Sequence, residues 1–261
     1  MTEHAPILDV VVAIAQEAGR VILPYYEARV AALTKADGTP VTAADTAAES
    51  VILAALAQLT PGIPVVAEEM MASGATPRVG RRFWLVDPID GTKEFIARTG
   101  EFTVNIGLIE DGVPILGVIH VPVTGDTYFG SGGAGGRAFR SRPGETPHPI
   151  RARPVPAGNR VALASRHSGI GERYERVLAE LRAIERRVVG SSLKFCLLAS
   201  GEADVYPRPG ETNEWDTAAG HAIVLAAGGR VDGLDGHPLT YGKPGFLNKG
   251  FIAWGAAGPT P

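Results

Sequence analysis

Apolar residues at Ile7, Val10, Val11, Ile14, Ala18, Val21 and Ile22 recur at three- and four-residue spacing, which predicts an amphipathic helix over residues 7–29. Pro24 falls in its last turns, where a missing N–H kinks or stops a helix. Residues 34–40 are polar and turn-rich, and a second helix fits Ala43–Leu59, ended by the Pro61-Gly62 pair. The period then changes. Residues 63–67 and 83–86 are short apolar strands, and each runs straight into acidic residues. Residues 102–110, the Asp111-Gly112 turn, 113–121 and 127–130 read as antiparallel sheet.

The second half alternates. Strands are expected at 161–164, 186–189, 204–206 and 230–232, with helices at 171–184, 192–200 and 214–227. Such mixing in both halves implies a layered α/β fold. The Pro- and Arg-rich stretch 141–160 is the expected seam of one domain with two lobes, 1–150 and 151–261.

Composition narrows the function. The chain has 261 residues, 45% of them hydrophobic and 20% charged, with a mean hydropathy of +0.08. That is the balance of an ordinary globular domain. No apolar run approaches the roughly 20 residues of a membrane span. Met1 to Pro6 lacks a basic flank and apolar core, so no signal peptide is expected and the cytoplasm is the expected location. Cys196 is the single cysteine, which excludes an intramolecular disulfide and a cysteine-built zinc site. Its apolar surroundings predict an inert buried thiol. A net charge of −3 without a dense basic tract argues against a nucleic-acid surface. It leaves a small anionic substrate open, because bound cations can supply local positive charge.

The sharpest chemistry lies in Trp84-Leu85-Val86-Asp87-Pro88-Ile89-Asp90-Gly91-Thr92-Lys93-Glu94-Phe95. A strand delivers Asp87, Pro88 fixes the turn, and Asp90 returns close to it. Two carboxylates so placed can clamp a hard divalent cation. Gly91 permits close backbone approach, and the Gly91 and Thr92 amides could hold an anion. Glu68-Glu69 follows another strand. Asp45 and Glu49 share a helix face, where like charges repel unless a cation or other partner relieves them. In Asn213-Glu214-Trp215-Asp216, Asn213 suits a helix N-cap and Asp216 its first turn. Each site alone also fits a solvated or capping acid.

Other signals are discounted. Gly130 to Gly135 matches G-x-G-x-x-G, but the residues after it read as strand, so a hairpin connection is expected. No G-x-S-x-G elbow exists. The histidines, His120 and His221 among them, lack metal-ligand spacing, and His221 reads as structural.

Taken in order over nearly the whole chain, the helical Asp45, Glu68-Glu69, Asp-Pro-Ile-Asp-Gly-Thr and Trp-Asp before Ala-Ala-Gly resemble the inositol monophosphatase superfamily of lithium-sensitive, metal-dependent phosphatases. The resemblance implies an αβαβα sandwich shared with fructose-1,6-bisphosphatases. Lys93-Glu94-Phe95 and Gly190-Ser191-Ser192-Leu193-Lys194-Phe195-Cys196 are most similar to the 3′(2′),5′-bisphosphate nucleotidase branch. Met70-Met71 departs from the more usual acidic or proline-containing sequence after Glu69.

By resemblance, Glu68, Asp87 and the Ile89 carbonyl hold one Mg²⁺, and Asp87 bridges to a second completed by Asp90 and Asp216, with two or three Mg²⁺ per site. Asp45, Glu68 and Thr92 form the catalytic group, with Thr92 and Asp45 orienting or deprotonating the attacking water. Glu69 supports them from behind. Substrate contacts fall to Glu68, Ile89, Asp90, Gly91, Thr92, Lys93, Ser165, His167, Ser192, Lys194 and Asp216. Arg166 and Ser191 lie beside them. The implied reaction is hydrolysis of 3′-phosphoadenosine 5′-phosphate to AMP and phosphate, in sulfur assimilation and nucleotide recycling. An inositol-phosphate or fructose-1,6-bisphosphate phosphatase is the alternative on the same scaffold. A catalytically silent nucleotide-binding protein is disfavoured, because every expected acid is present. A homodimer and a peripheral membrane association are compatible with the sequence.

Overall fold

In the computed structural model, residues 5–28, 33–34, 40–166 and 171–257 are described. The first two helices, Ala5–Glu27 and Ala43–Leu59, pack together on one face of a seven-stranded sheet. Val11, Ala15, Ala18 and Ile22 meet Ala48, Ile52 and Leu56 in that buried layer. The helix passes through Pro24 to Glu27, and the Ala28 N–H donates to the Pro24 carbonyl at 2.9 Å. Proline this close to the end removes one hydrogen bond of the last turns, and the helix ends at Glu27, while residue 29 of the expected span lies outside the described residues.

The seven strands lie in chain order: Val65–Ala67, Arg82–Asp90, Thr103–Glu110, Val113–His120, Thr127–Ser131, Arg137–Ser141 and His148–Ile150. The first pair is parallel and the others antiparallel. Asp111 and Gly112, at φ +49° and +77°, make the expected tight hairpin. The glycine-rich run after Gly130 is likewise a hairpin connection, not a nucleotide loop. The last strand falls inside the stretch read as a seam.

On the opposite face lie the helices Leu193–Ala199 and Ala218–Ala226, then a five-stranded sheet, then the helix Glu172–Glu180. The second sheet runs in the order Ala183–Val188, Arg160–Ala164, Val205–Arg208, Phe251–Trp254, Arg230–Gly233. Its first three strands are parallel and its last two antiparallel to their neighbours. The layers alternate α, β, α, β, α, as the sequence resemblance implies. One apolar cluster extends from Val66 and Leu85 in the first sheet to Tyr206 and Phe251 in the second.

A row of glycines sets the spacing of the middle layers. Gly107, Gly117 and Gly130 stand opposite one another on three adjacent strands. A Cβ on Gly117 would lie 2.2 Å from the Ala219 carbonyl oxygen, and one on Gly130 2.9 Å from the Ala226 Cβ. The Ala-rich helix rests directly on the sheet backbone, which carries Asp216, just before it, to the end of the first sheet.

Two helices differ from expectation. The one expected over 171–184 ends at Glu180. Arg182 turns at φ +50°, the Arg160 guanidinium takes the Leu181 carbonyl at 2.8 Å, and Ala183–Val188 pairs in parallel with Arg160–Ala164. Strand pairing overrides the helix propensity of Leu181 to Ile184. The helix expected from residue 214 begins at Ala218, because residues 212–213 pair with Leu247–Asn248.

Candidate active site

Along the Arg82–Asp90 strand, Asp87 stands opposite Asn105 and Asp90 opposite Thr103. Three steps on one strand match two on its neighbour. Pro88 cannot donate to the ladder, and the extra residue forms a bulge that turns Asp90 back toward Asp87. Gly91 follows at φ +91°, and Thr92–Ile96 closes into a short helix. The Thr92 hydroxyl donates to the Ile89 carbonyl at 3.3 Å.

Glu68 comes from the parallel neighbour strand, at the start of the turn Glu68–Ala72. Its place is fixed from behind by Glu49. That buried carboxylate accepts the Glu69 N–H at 2.8 Å and the Met70 N–H at 2.9 Å, and burial pushes its pKa up to about 7. Asp45 is also buried, and one of its oxygens accepts both the Thr42 N–H at 2.8 Å and the Thr42 hydroxyl at 2.7 Å. The partners expected to relieve Asp45 and Glu49 are backbone N–H groups, Thr42 for Asp45 and Glu69 and Met70 for Glu49. Asp45 does not line the cavity described below, yet its charge contributes to raising the Asp87 pKa.

Asp216 arrives from the segment just before the Ala218–Ala226 helix. Asn213 was expected to cap a helix there, and the roles are reversed. The Asp216 carboxylate accepts the Asn213 N–H at 2.8 Å, while Asn213 pairs with Leu247. Buried Glu214 accepts the Gly242 and Lys243 N–H groups at 2.7 and 3.0 Å, which pins the segment. Thr217 and His221 bond to Tyr241 behind it, so His221 is structural as expected.

Glu68, Asp87, Asp90 and Asp216 meet in one cavity of about 260 Å³, which Ile89, Gly91, Thr92, Lys93, Ser165, Ser192 and Lys194 also line. Of the expected substrate contacts only His167 is missing from this wall, because it lies outside the described residues. Burial first, then the charges of Glu68, Asp90, Asp216 and Asp45, drive the Asp87 pKa far above the usual carboxylate range. Asp216 is raised likewise, by burial and then by Asp90 and Glu68. The Asp87 Oδ1 atom is buried without any hydrogen-bond partner. Among the described residues, no three carboxylates have closed into a ready-made metal cage. Convergent acids with a buried, unanswered oxygen nevertheless fit a hard divalent cation, which takes oxygen donors and cancels their repulsion.

The cationic side differs from expectation. Lys194 is buried, and its ammonium donates to the Val189 and Ser191 carbonyls at 3.0 and 2.5 Å. Burial pulls its pKa down to about 8. It holds the turn at Ser191, a residue at φ +46°, and Lys194 also lines the cavity. Lys93 stands exposed at the rim. Arg166 pairs with Glu101 at 2.7 Å. Arg208, absent from the sequence-based set, lines the cavity with its Nε buried and unpartnered. Its only signal was a position just beyond the expected strand 204–206. Cys196 is buried, and burial pushes its thiol pKa up.

With this geometry in view, the pattern of the inositol monophosphatase family matches residues 3–256. The chain is 45% identical over 249 residues to the 3′(2′),5′-bisphosphate nucleotidase CysQ of Escherichia coli (strain K12), covering 94% of this chain and 98% of that one. It is 33% identical to CysQ of Haemophilus influenzae, covering 98% and 94%. Among solved structures, CysQ from Bacteroides thetaiotaomicron superposes with a TM-score of 0.78 at 36% identity, covering 97% and 98%. A Thermotoga maritima IMPase does so with 0.78 at 28%, covering 95% and 92%. A match along nearly the full length, with the four acids converging at the layer seam, makes this chain a member of the inositol monophosphatase family.

Proposed function

We propose that this enzyme is a Mg²⁺-dependent 3′(2′),5′-bisphosphate nucleotidase, which hydrolyses the 3′-phosphate of 3′-phosphoadenosine 5′-phosphate to give AMP and phosphate. The observation that carries the chemistry is the meeting of Glu68, Asp87, Asp90 and Asp216 around one cavity, with Asp87 Oδ1 left unanswered. The nucleotide is supported by the 45% identity to CysQ. Glu68, Asp87, the Ile89 carbonyl, Asp90 and Asp216 are the groups that would hold Mg²⁺, in two or three sites. Mg²⁺ supplies neutralisation of phosphoryl charge and greater acidity of a nearby water.

The chain's own groups do the rest. Thr92, beside the Ile89 carbonyl, orients the attacking water, and Asp45 sustains the negative field behind Asp87. Ser165 and Ser191 line the wall assigned in this reading to ribose and base. Arg208, whose Nη2 donates to the Glu211 carbonyl at 3.3 Å, offers its unpaired Nε–H to the 5′-phosphate that is not cleaved. Phosphoryl transfer needs positioning and charge neutralisation more than covalent chemistry, which suits this wall of carboxylates. No described helix is long and apolar enough to cross a membrane, and a cytoplasmic location belongs to the same reading.

The test is phosphate release with Mg²⁺, comparing kcat/KM for 3′-phosphoadenosine 5′-phosphate, inositol 1-phosphate and fructose 1,6-bisphosphate. A preference for the nucleotide of about a hundredfold, roughly 2.7 kcal/mol of transition-state binding, is expected. Preference for either other ester would move the enzyme to a sister branch. Activity that survives EDTA would remove the metal.

A further inference from the structure

Asn105 lies in the middle of the first sheet, directly opposite Asp87, and is 1% exposed. Its Nδ2 donates to the Ser192 hydroxyl at 2.9 Å and stands 3.5 Å from the Asp90 carboxylate. Ser192, 2% exposed, reaches the same Asp90 oxygen at 2.5 Å and the Asp216 carbonyl at 2.8 Å. One hydroxyl therefore touches two acids of the site, one from each side of the seam, and an amide from the first sheet.

The donor count fixes the direction of these bonds. An ionised carboxylate only accepts, so the amide edge facing Asp90 must be the NH₂. Once Ser192 accepts that N–H, its single proton is left for the Asp90 oxygen and the Asp216 carbonyl. The shorter contact is to Asp90, as a charge-assisted bond should be. Asn105 thus sets how Ser192 points, and Ser192 sets how Asp90 points relative to Asp216. The other amide atom, Asn105 Oδ1, is buried without a partner, as is Asp87 Oδ1 across the ladder. Burying such acceptors costs stability unless a donor or cation answers them.

We infer that Asn105 and Ser192 are a positioning pair for the metal site: they hold Asp90 and Asp216 at one fixed separation across the seam, so that a divalent cation has only the remaining oxygens to draw in. Ser192 then acts through Asp90, not through the substrate. The inference rests on the metal-phosphatase reading and needs no particular substrate.

The experiment is calorimetric titration of the full-length, EDTA-treated protein with Mg²⁺, for the wild type, S192A, S192T, N105A and the double variant S192A/N105A. Melting temperatures in EDTA and the Mg²⁺ dependence of phosphate release accompany it. S192A and N105A should each weaken Mg²⁺ binding by about 10- to 100-fold, the size seen for groups that orient metal ligands. The double variant should be little worse than the weaker single one, because both act through one chain of bonds. S192T keeps the hydroxyl and should bind nearly as the wild type does. Activity should recover largely at high Mg²⁺, so the loss sits in the metal requirement and not in kcat. A purely structural role would lower the melting temperature and leave the affinity of the folded protein unchanged. Affinity within twofold of wild type in S192A overturns the inference even if N105A fails to fold. A wild type that binds Mg²⁺ but prefers a non-nucleotide ester would sink the nucleotide reading and leave this one standing.

Discussion

Gly117 in the first sheet and Ala219 in the helix behind Asp216 meet with no room for a methyl group, since a Cβ on Gly117 would lie 2.2 Å from the Ala219 carbonyl oxygen. The obstacle is backbone, so no side-chain rotation relieves it. Gly117→Ala must push the helix off the sheet, and with it the neighbouring Asp216. Overpacking of a tight core typically costs about 1–3 kcal/mol. The variant should lie at or above the top of that range in urea unfolding, and its Mg²⁺ requirement should rise. The same change at Gly62, where a Cβ meets nothing within 4 Å, should cost far less. Equal costs at the two positions would show that the glycine row does not set the spacing.

What the sequence revealed of this site was what neighbouring residues determine. Asp87, Pro88, Asp90 and Gly91 make a local turn, and a strand end followed by a proline and a glycine needs no distant partner to be recognised. The second helix, Ala43–Leu59, was legible for the same reason, because the Pro61-Gly62 pair that stops it lies just past its end. Groups whose meaning depends on distant chain were not legible. Asn105 meets Ser192 across 87 positions, and Glu49 meets Glu69 across 20. Arg208 was missed because its strand runs two residues beyond its apolar part. The end of the Glu172–Glu180 helix was misjudged because a parallel strand partner, not local propensity, decides residues 183–188.

Asp87 should be a site where function and stability oppose each other. Its carboxylate is buried, lacks a partner at Oδ1, and faces the charges of Glu68, Asp90 and Asp216. Asp87→Asn removes that charge with little change of shape. In EDTA at neutral pH the variant should melt at least about 2 °C higher than the wild type, which for a chain of this size corresponds to roughly 1 kcal/mol. Mg²⁺ should raise its melting temperature less than it raises that of the wild type, and turnover should be abolished. A variant that keeps most of its activity would remove Asp87 from the metal site.

Arg208 offers a way to separate binding of the second phosphate from cleavage of the first. Its Nε is buried and unpaired in the cavity wall. A hydrogen bond to a charged group is worth about 1.5–3 kcal/mol, or roughly 10- to 150-fold in affinity. Arg208→Gln should therefore lower kcat/KM for the 3′,5′-bisphosphate by that factor, mostly through KM. Hydrolysis of 3′-AMP, which lacks the 5′-phosphate, should change far less. Equal losses on both substrates would place Arg208 on the cleaved phosphate instead.

Two buried histidines should make the fold acid-sensitive. Burial lowers the pKa of His120 to about 4, with the Arg20 charge adding to it. Burial and the Lys243 charge lower that of His221 to about 3. Both are neutral in the native state, whereas in the unfolded chain they titrate near 6.5. The unfolded state therefore binds more protons as pH falls. The stabilisation is complete above about pH 6.5 and is lost on acidification, down to about 4 for His120 and about 3 for His221. Each histidine can contribute up to about 1.4 kcal/mol per pH unit within its window. Asp87 and Asp216 act in the opposite sense, since their raised pKa values let the native state take up protons first. The histidine share is thus read as a difference between proteins. Urea unfolding of wild type, H120Q and H221Q at pH 7, 6 and 5 should show each variant's stability deficit shrinking by about 1 kcal/mol per unit below pH 6. Parallel curves would mean that these imidazoles titrate in the native fold as they do in the unfolded chain.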